Sequence, residues 1–269
     1  MQIIEQQVMS KDGNMDHCED GLFISDNFVV VIDGVTAKGE KLWKGKKSGR
    51  YARDLILEKL KSVSEDISAV SFFNTLSGAL KEAHEFFYPD GCPLAEKLRA
   101  AVIVYSRYYK EIWSYGDCSC MINDIVYAHE KAIDQLNSAM RSYILQDELN
   151  SGKTYAELQK RDVGREYIQE ALLRQFHFEN IDGLFGYAVL NGDSINESLV
   201  VKHAVKEGDI VILASDGYPK LCPTLKESEH VLENVLEQDP LCCRIYLSTK
   251  GMAVGNISFD DRCYCRFRA

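Results

Sequence analysis

The sequence contains no apolar run approaching the ~20 residues that a membrane span needs. Its first ten residues are polar and alternating, without the apolar core of an export signal. We therefore expect a cytoplasmic chain with reduced thiols. Positive charge is in deficit, with 31 Lys and Arg against 41 Asp and Glu for a net charge of −10. That balance disfavours nucleic acid or an anionic membrane as the main partner. Proline is scarce, at 5, and no proline- or serine-rich tract divides the chain, so one domain is expected over residues 1–269. The six histidines lack the paired spacing that zinc favours. Among the nine cysteines, Cys118 and Cys120, and again Cys263 and Cys265, sit two apart in strand-like segments and read as buried small hydrophobes. Gly152-Lys153-Thr154 lacks the earlier glycine that a phosphate-binding loop requires, since Asp147 stands there.

What is present is a set of apolar strands that end in acid. Phe28-Val29-Val30-Val31-Ile32 is too short for an ordinary helix and rich in β-branched residues. It reads as a strand buried on both faces, and it stops on Asp33-Gly34. Ile210-Val211-Ile212-Leu213 repeats the pattern and reaches Asp216-Gly217 through Ala214-Ser215. Further strands are expected over 2–8, 19–24, 100–105, 111–115, 118–122, 125–128, 186–190, 199–204 and 262–267. The stretch 100–128 reads as an antiparallel meander, because the tight turns at Gly116-Asp117 and Asn123-Asp124 leave no room for a crossover helix. Helices are expected from a cap at Ser48 through Leu60, over 71–88, over most of 131–178 with a break at Ser151-Gly152, over 225–237, and in a short piece at 242–247. Between Val35 and Lys47 lies a basic loop carrying Lys38, Lys41, Lys44, Lys46 and Lys47, expected to be solvated unless some of these hold phosphate.

Six acids fall at strand ends: Glu19, Asp20, Asp33, Asp117, Asp216 and Asp260. Gathered at a rim poor in water, they would raise one another's pKa, and something cationic must balance them. Carboxylate oxygens, together with a Gly34 carbonyl that no side chain obstructs, suit hard cations such as Mg²⁺ or Mn²⁺.

The order of the segments is more specific than any one of them. Glu19-Asp20, Val31-Ile32-Asp33-Gly34, Ala101-Val102-Ile103-Val104 leading to Tyr115-Gly116-Asp117-Cys118-Ser119, Leu213-Ala214-Ser215-Asp216-Gly217, and Asp260-Asp261 follow one another along the chain. In that order the sequence resembles the metal-dependent serine/threonine phosphatases of the protein phosphatase 2C type. The resemblance implies an α+β fold, a four-layer α-β-β-α sandwich with two central, mainly antiparallel sheets and a helical insertion near 131–178. It implies two Mn²⁺ or Mg²⁺ ions and hydrolysis of phosphoserine or phosphothreonine in a protein or peptide by a water activated between them. Asp33 would bridge the ions, Gly34 and Glu19 would serve the first, Asp216 and Asp260 would complete the second, and Asp20 would orient the attacking water. Asp117 matches a position that in similar enzymes helps hold a third, weaker ion.

Many relatives place a phosphate-gripping arginine four residues before the first acid, where this chain has Met15, and eukaryotic members follow Asp-Gly with histidine, where it has Val35. These departures motivate an alternative: a metal-binding regulatory module on the same fold with hydrolysis weak or lost. A doubly wound phosphohydrolase using Asp33 as nucleophile would need a second acid at the position of Val35, and an antiparallel meander contradicts it. The insertion is expected either to shape the substrate entrance or a partner surface, or simply to pack over the sheet.

Overall fold

The computed structural model describes residues 1–269. In chain order the elements are β1 (Gln2–Met9), β2 (Gly21–Ile24), β3 (Phe28–Val35), α1 (Ser48–Leu60), α2 (Ala69–Phe87), β4 (Arg99–Ser106), β5 (Glu111–Tyr115), β6 (Ser119–Ile122) and β7 (Ile125–Tyr127). They continue with α3 (Ala132–Asn150), α4 (Tyr155–Lys160), α5 (Val163–Tyr167), α6 (Gln169–Arg174), β8 (Val201–Ala204), β9 (Ile210–Ala214), α7 (Leu225–Gln238) and β10 (Arg262–Arg268). The strands form two five-stranded antiparallel sheets, ordered β1-β10-β9-β6-β7 and β2-β3-β4-β5-β8.

Why β3 is apolar on both faces follows from its place. Val29 and Val31 point between the sheets, where they meet Ala101, Ile103, Cys118, Cys120, Cys263 and Cys265. Phe28, Val30 and Ile32 point the other way, into a core shared with Ala52 and Ile56 of α1 and with Phe72, Phe73 and Leu76 of α2. Each such side chain taken fully out of water contributes about 1.5–3 kcal/mol before its ordering entropy is counted. On the outer face of the other sheet, Ile212 and Tyr264 pack with Tyr218, Leu221 and Leu225, where α7 begins. The order is thus helix, sheet, sheet, helix, as the strand patterns and the resemblance imply.

Several local expectations are corrected. Gly116-Asp117 is not a hairpin turn: β5 lies in one sheet and β6 in the other, so this dipeptide carries the chain across. Gly116 sits at φ +126°, and a Cβ there would run into Ala101, so glycine makes the close crossing feasible. Ser48 does not cap α1. Lys47 occupies the cap position without a side-chain bond, while Ser48 Oγ accepts from Ala37 N at 2.6 Å and ties the post-β3 loop to the helix. Residues 186–190 form no strand and touch the sheet through a single bridge, Leu190 to Ala100. No helix forms over 242–247, because the Asp239 carboxylate accepts N–H bonds from Cys243, Arg244 and Ile245 at 2.7–3.1 Å and wraps that segment around itself. The insertion breaks at Ser151-Gly152 as expected but is built of four helices, α3 to α6, and not two.

Candidate functional site

One end of the sandwich collects the acids. Glu19 and Asp20 precede β2, Asp33 and Gly34 lie near the end of β3, Asp117 sits on the crossover between sheets, Asp216 follows β9, and Asp260 and Asp261 precede β10. All of them line a single cavity of about 650 Å³. Asp33 and Gly34 are still paired with Ala101 and Ala100 of β4, so the ladder fixes where they stand.

Glu19, Asp20, Asp260 and Asp261 are buried, Asp33 and Asp117 are half-buried, and Asp216 keeps an exposed face toward the cavity. Loss of water, then repulsion from Asp216, Asp20 and Asp117, raises the Asp33 carboxyl well above the usual range. Burial, with Asp260, Asp261 and Asp216 nearby, does the same to Asp20. Asp216 is pushed up to about 7 by desolvation and by Asp260 and Asp117; since its side chain still meets cavity solvent, we give the neighbouring acids the greater weight. Three buried carboxylate oxygens have no hydrogen-bond partner: Glu19 Oε1, Asp20 Oδ2 and Asp117 Oδ1.

The sequence reading missed the cations that counter these acids. Lys250 pairs with Asp260. Lys11 Nζ lies 3.5 Å from Asp260 Oδ1 and 3.7 Å from both Glu19 Oε2 and Asp261 Oδ2. Lys131, at the mouth of α3, lies 2.6 Å from Asp117 Oδ2. Against the penalty of burial, Lys250 and Lys11 hold Asp260 below the ordinary carboxylate range. With lysines spaced among the acids, no three acidic, histidine or cysteine side chains close on a common point. Asp261 has a separate part: its two oxygens accept from Lys11 N and Glu19 N, each at 2.8 Å, bracing the segment that carries the first acids. The adjacent pair Asp260-Asp261 was the available sequence signal, whereas no motif marks the lysines.

Two glycines shape one wall. A Cβ on Gly49, in the first turn of α1, would collide with the Gly34 carbonyl and with Glu19 Oε1. A Cβ on Gly34 would collide with the backbone carbonyls of Gly49 and Glu19. Glycine at both positions thus lets α1 come close against two oxygen donors, Gly34 O and the unpartnered Glu19 Oε1. In kind, these oxygen ligands suit Mg²⁺ or Mn²⁺.

The insertion contributes Lys131, Asp134, Ser138, Arg165 and Gln175 to the lining of the same cavity. It is anchored by Arg141, whose fully buried guanidinium donates to Asp162 Oδ2 and to the carbonyls of Leu241, Cys242 and Ser248 at 2.7–3.2 Å. Leu145 and Leu158 pack beside it against Leu241 and Cys243. The insertion therefore both packs on the body and shapes the cavity. The basic loop is likewise less solvated than expected: Trp43 is wholly buried against Tyr51, Phe87 and Tyr88, Lys41 lies 4.1 Å above the Tyr88 ring, and Lys46 pairs with Asp54. Of its five lysines only Lys38 lines the cavity.

No protein-family model and no curated protein sequence matches the chain. Solved structures do. The catalytic domain of the serine threonine protein phosphatase PstP in complex with two manganese ions aligns with a TM-score of 0.50 at 13% identity, over 99% of this chain and 98% of that one. The Mycobacterium tuberculosis phosphatase PstP/Ppp aligns at 0.48 and 14%, over 97% and 96%, and Staphylococcus aureus Stp1 at 0.47 and 13%, over 100% and 95%. At such identities the likeness speaks for the fold alone, and with two antiparallel sheets between helices the chain has the protein phosphatase 2C fold.

Proposed function

We propose that the protein is a metal-dependent phosphatase that hydrolyses phosphoserine or phosphothreonine monoesters in a protein or peptide. The observation that carries this is the convergence of Glu19, Asp20, Asp33, Asp117, Asp216 and Asp260 on one cavity, with three buried carboxylate oxygens unpartnered. Asp33, Gly34 O and Glu19 would hold one divalent cation, Asp33 with Asp216 and Asp260 would hold a second, and Asp117 would help to hold a third. When bound, Mn²⁺ or Mg²⁺ lowers the pKa of a water and neutralises charge on the phosphoryl group in an in-line displacement. Asp20, buried beside Asp260 and Asp216, would orient the attacking water and accept its proton. Lys250 and Lys11 are the groups that must give way as cations enter, since they now neutralise Asp260.

Nine free thiols accord with a cytoplasmic setting. The core shared by both sheets accords with one domain over 1–269, and no helix is long and apolar enough to cross a membrane.

The test is hydrolysis of p-nitrophenyl phosphate and of a phosphothreonine peptide with Mn²⁺. Activity should fall by more than about 100-fold in Asp33→Asn and Asp216→Asn. A second reading, a metal-binding module without hydrolysis, is favoured by the lysines already seated on Asp260. A melting temperature that rises with Mn²⁺ while both substrates stay intact would select it.

A further inference from the structure

Three cations that line the cavity join no ion pair, Lys38, Arg165 and Lys220, whereas Lys11, Lys131 and Lys250 are each engaged by acids. Lys220 is exposed to solvent, but Lys38 and Arg165 are half-buried. In a chain with ten more acids than bases, 41 against 31, two half-buried cations left without an ion pair in one cleft are costly and call for a reason. Burial first, and then Arg165 and Lys250, depress the Lys38 ammonium to about 8. Burial, and then Arg141, depress Arg165 as well. An anion between Lys38 and Arg165 would relieve both.

The two residues come from elements far apart in sequence, and each is held in place. Lys38 and Gly39 donate their backbone N–H groups to Ala95 O at 3.2 and 3.0 Å, and buried Trp43 plugs the rest of the loop into the α1–α2 core. Arg165 is fixed at the start of α5, where its backbone N donates to Asp162 Oδ1 at 2.7 Å and Nη1 donates to the Thr249 carbonyl, beside Lys250. Asp162 is also the partner of Arg141, so one carboxylate positions both arginines. Only one guanidinium nitrogen of Arg165 is engaged, which leaves donors of its fork for an oxyanion, while Lys38 supplies a point charge in the same cavity.

We propose that Lys38 and Arg165 form an anion subsite that receives the substrate phosphoryl group in the same cavity as the acids, in place of an arginine where the chain has Met15. Naming the anion a phosphomonoester rests on the hydrolase reading; the subsite itself does not. The insertion would then be part of the binding site, because it delivers Arg165, and a chain lacking 131–178 would bind phosphate poorly even with every acid in place.

The experiment is calorimetric titration of the full chain with inorganic phosphate, run both without metal and with Mn²⁺. Wild type should bind, and Lys38→Met and Arg165→Met should each weaken binding by about 10–100-fold. Lys38→Arg should restore it to within about threefold, and Arg165→Lys, which keeps the charge but not the fork, should lie between. Lys220→Met, at the exposed rim of the same cavity, should change affinity by less than about twofold. Wild-type affinity in both Met variants, an equal loss in Lys220→Met, or no binding by wild type would overturn the subsite. Phosphate binding that falls in Lys38→Met and Arg165→Met, alongside no hydrolysis of either ester, would uphold the subsite and defeat the hydrolase reading.

Discussion

Arg141 Nη2 lies 2.7 Å from Asp162 Oδ2, and the same guanidinium, with no solvent exposure, reaches the carbonyls of three residues in the 241–248 segment. The pair holds the guanidinium within the insertion, and its bonds to those carbonyls fasten the insertion to the loop that carries Lys250. Removing one partner of a buried pair costs about 3–5 kcal/mol, and Asp162, at 25% exposure, moves the figure to the lower end. Arg141→Met should therefore lower the melting temperature by roughly 6–12 °C and expose 131–178 to limited proteolysis. An unchanged melting curve and protease pattern would show that apolar packing alone secures the insertion.

Trp43 is the one large aromatic in a loop that otherwise reads as polar. It is fully buried, and Trp43→Ala should cost about 3–5 kcal/mol. Because the same ring pins the segment carrying Lys38, hydrogen exchange over 36–47 should speed up more than global destabilisation accounts for. Uniform acceleration across the chain would mean that the loop has no local dependence on the indole.

Gly49 touches the proposed metal site without contributing a donor. A methyl there would collide with the Gly34 carbonyl and Glu19 Oε1, so Gly49→Ala should push these two oxygens out of place. Saturating Mn²⁺ should raise the wild-type melting temperature by mass action, by the equivalent of about 2.7 kcal/mol at 100 times Kd. In Gly49→Ala that rise should need about tenfold more Mn²⁺ or more, with every carboxylate still present. Equal Mn²⁺ titrations of the two proteins would rule out a role for this close approach.

The acid cluster sets a pH dependence whose direction can be stated. Asp20, Asp33 and Asp216 have folded-state pKa values raised above the unfolded one, so between about pH 4 and each raised value the native state holds more protons than the unfolded chain. Their contribution to stability is present below about pH 4 and is lost as pH rises, for Asp216 through about 7. Asp260 runs the other way, since its pKa is lowered. Comparison with a single variant isolates one term: in metal-free buffer, Asp216→Asn should melt close to wild type at pH 5 and above it at pH 8. Asp33→Asn should show the same gap opening as pH rises. A gap that stays constant with pH would mean that the two acids do not repel their neighbours.

Much of this was legible in residue order. The β-branched runs ending in Asp33 and leading to Asp216 announced their strands because both are buried on two sides, and the acids announced themselves by standing at strand ends. The lysines did not, because Lys11 meets Asp260, and Lys131 meets Asp117, only once the sheets are packed, and one lysine in a sequence looks like another. Lys38 could not be told from its four neighbours without knowing that Trp43 turns inward. Gly116-Asp117 suits a hairpin and a sheet crossing equally well, and only the partners of β6 decide between them. The segment after Asp239 carries a helical pattern that one carboxylate overrides by taking three backbone donors.

The acids arrive from segments spread across the whole chain, Glu19 near one end and Asp260 near the other. A half-folded chain in which only the β2-β3-β4-β5 meander has formed would bring Glu19 and Asp20 beside Asp33 but would lack Asp216 and Asp260. The repulsion that these last two add is then a burden of the last stage of folding, when β9 and β10 close over β3. Stabilisation by a divalent cation belongs to that stage too, so Mn²⁺ should slow unfolding while leaving the refolding rate nearly unchanged. On the metal-dependent reading the protein would owe its persistence to a bound cation, and its speed of assembly to the apolar strands.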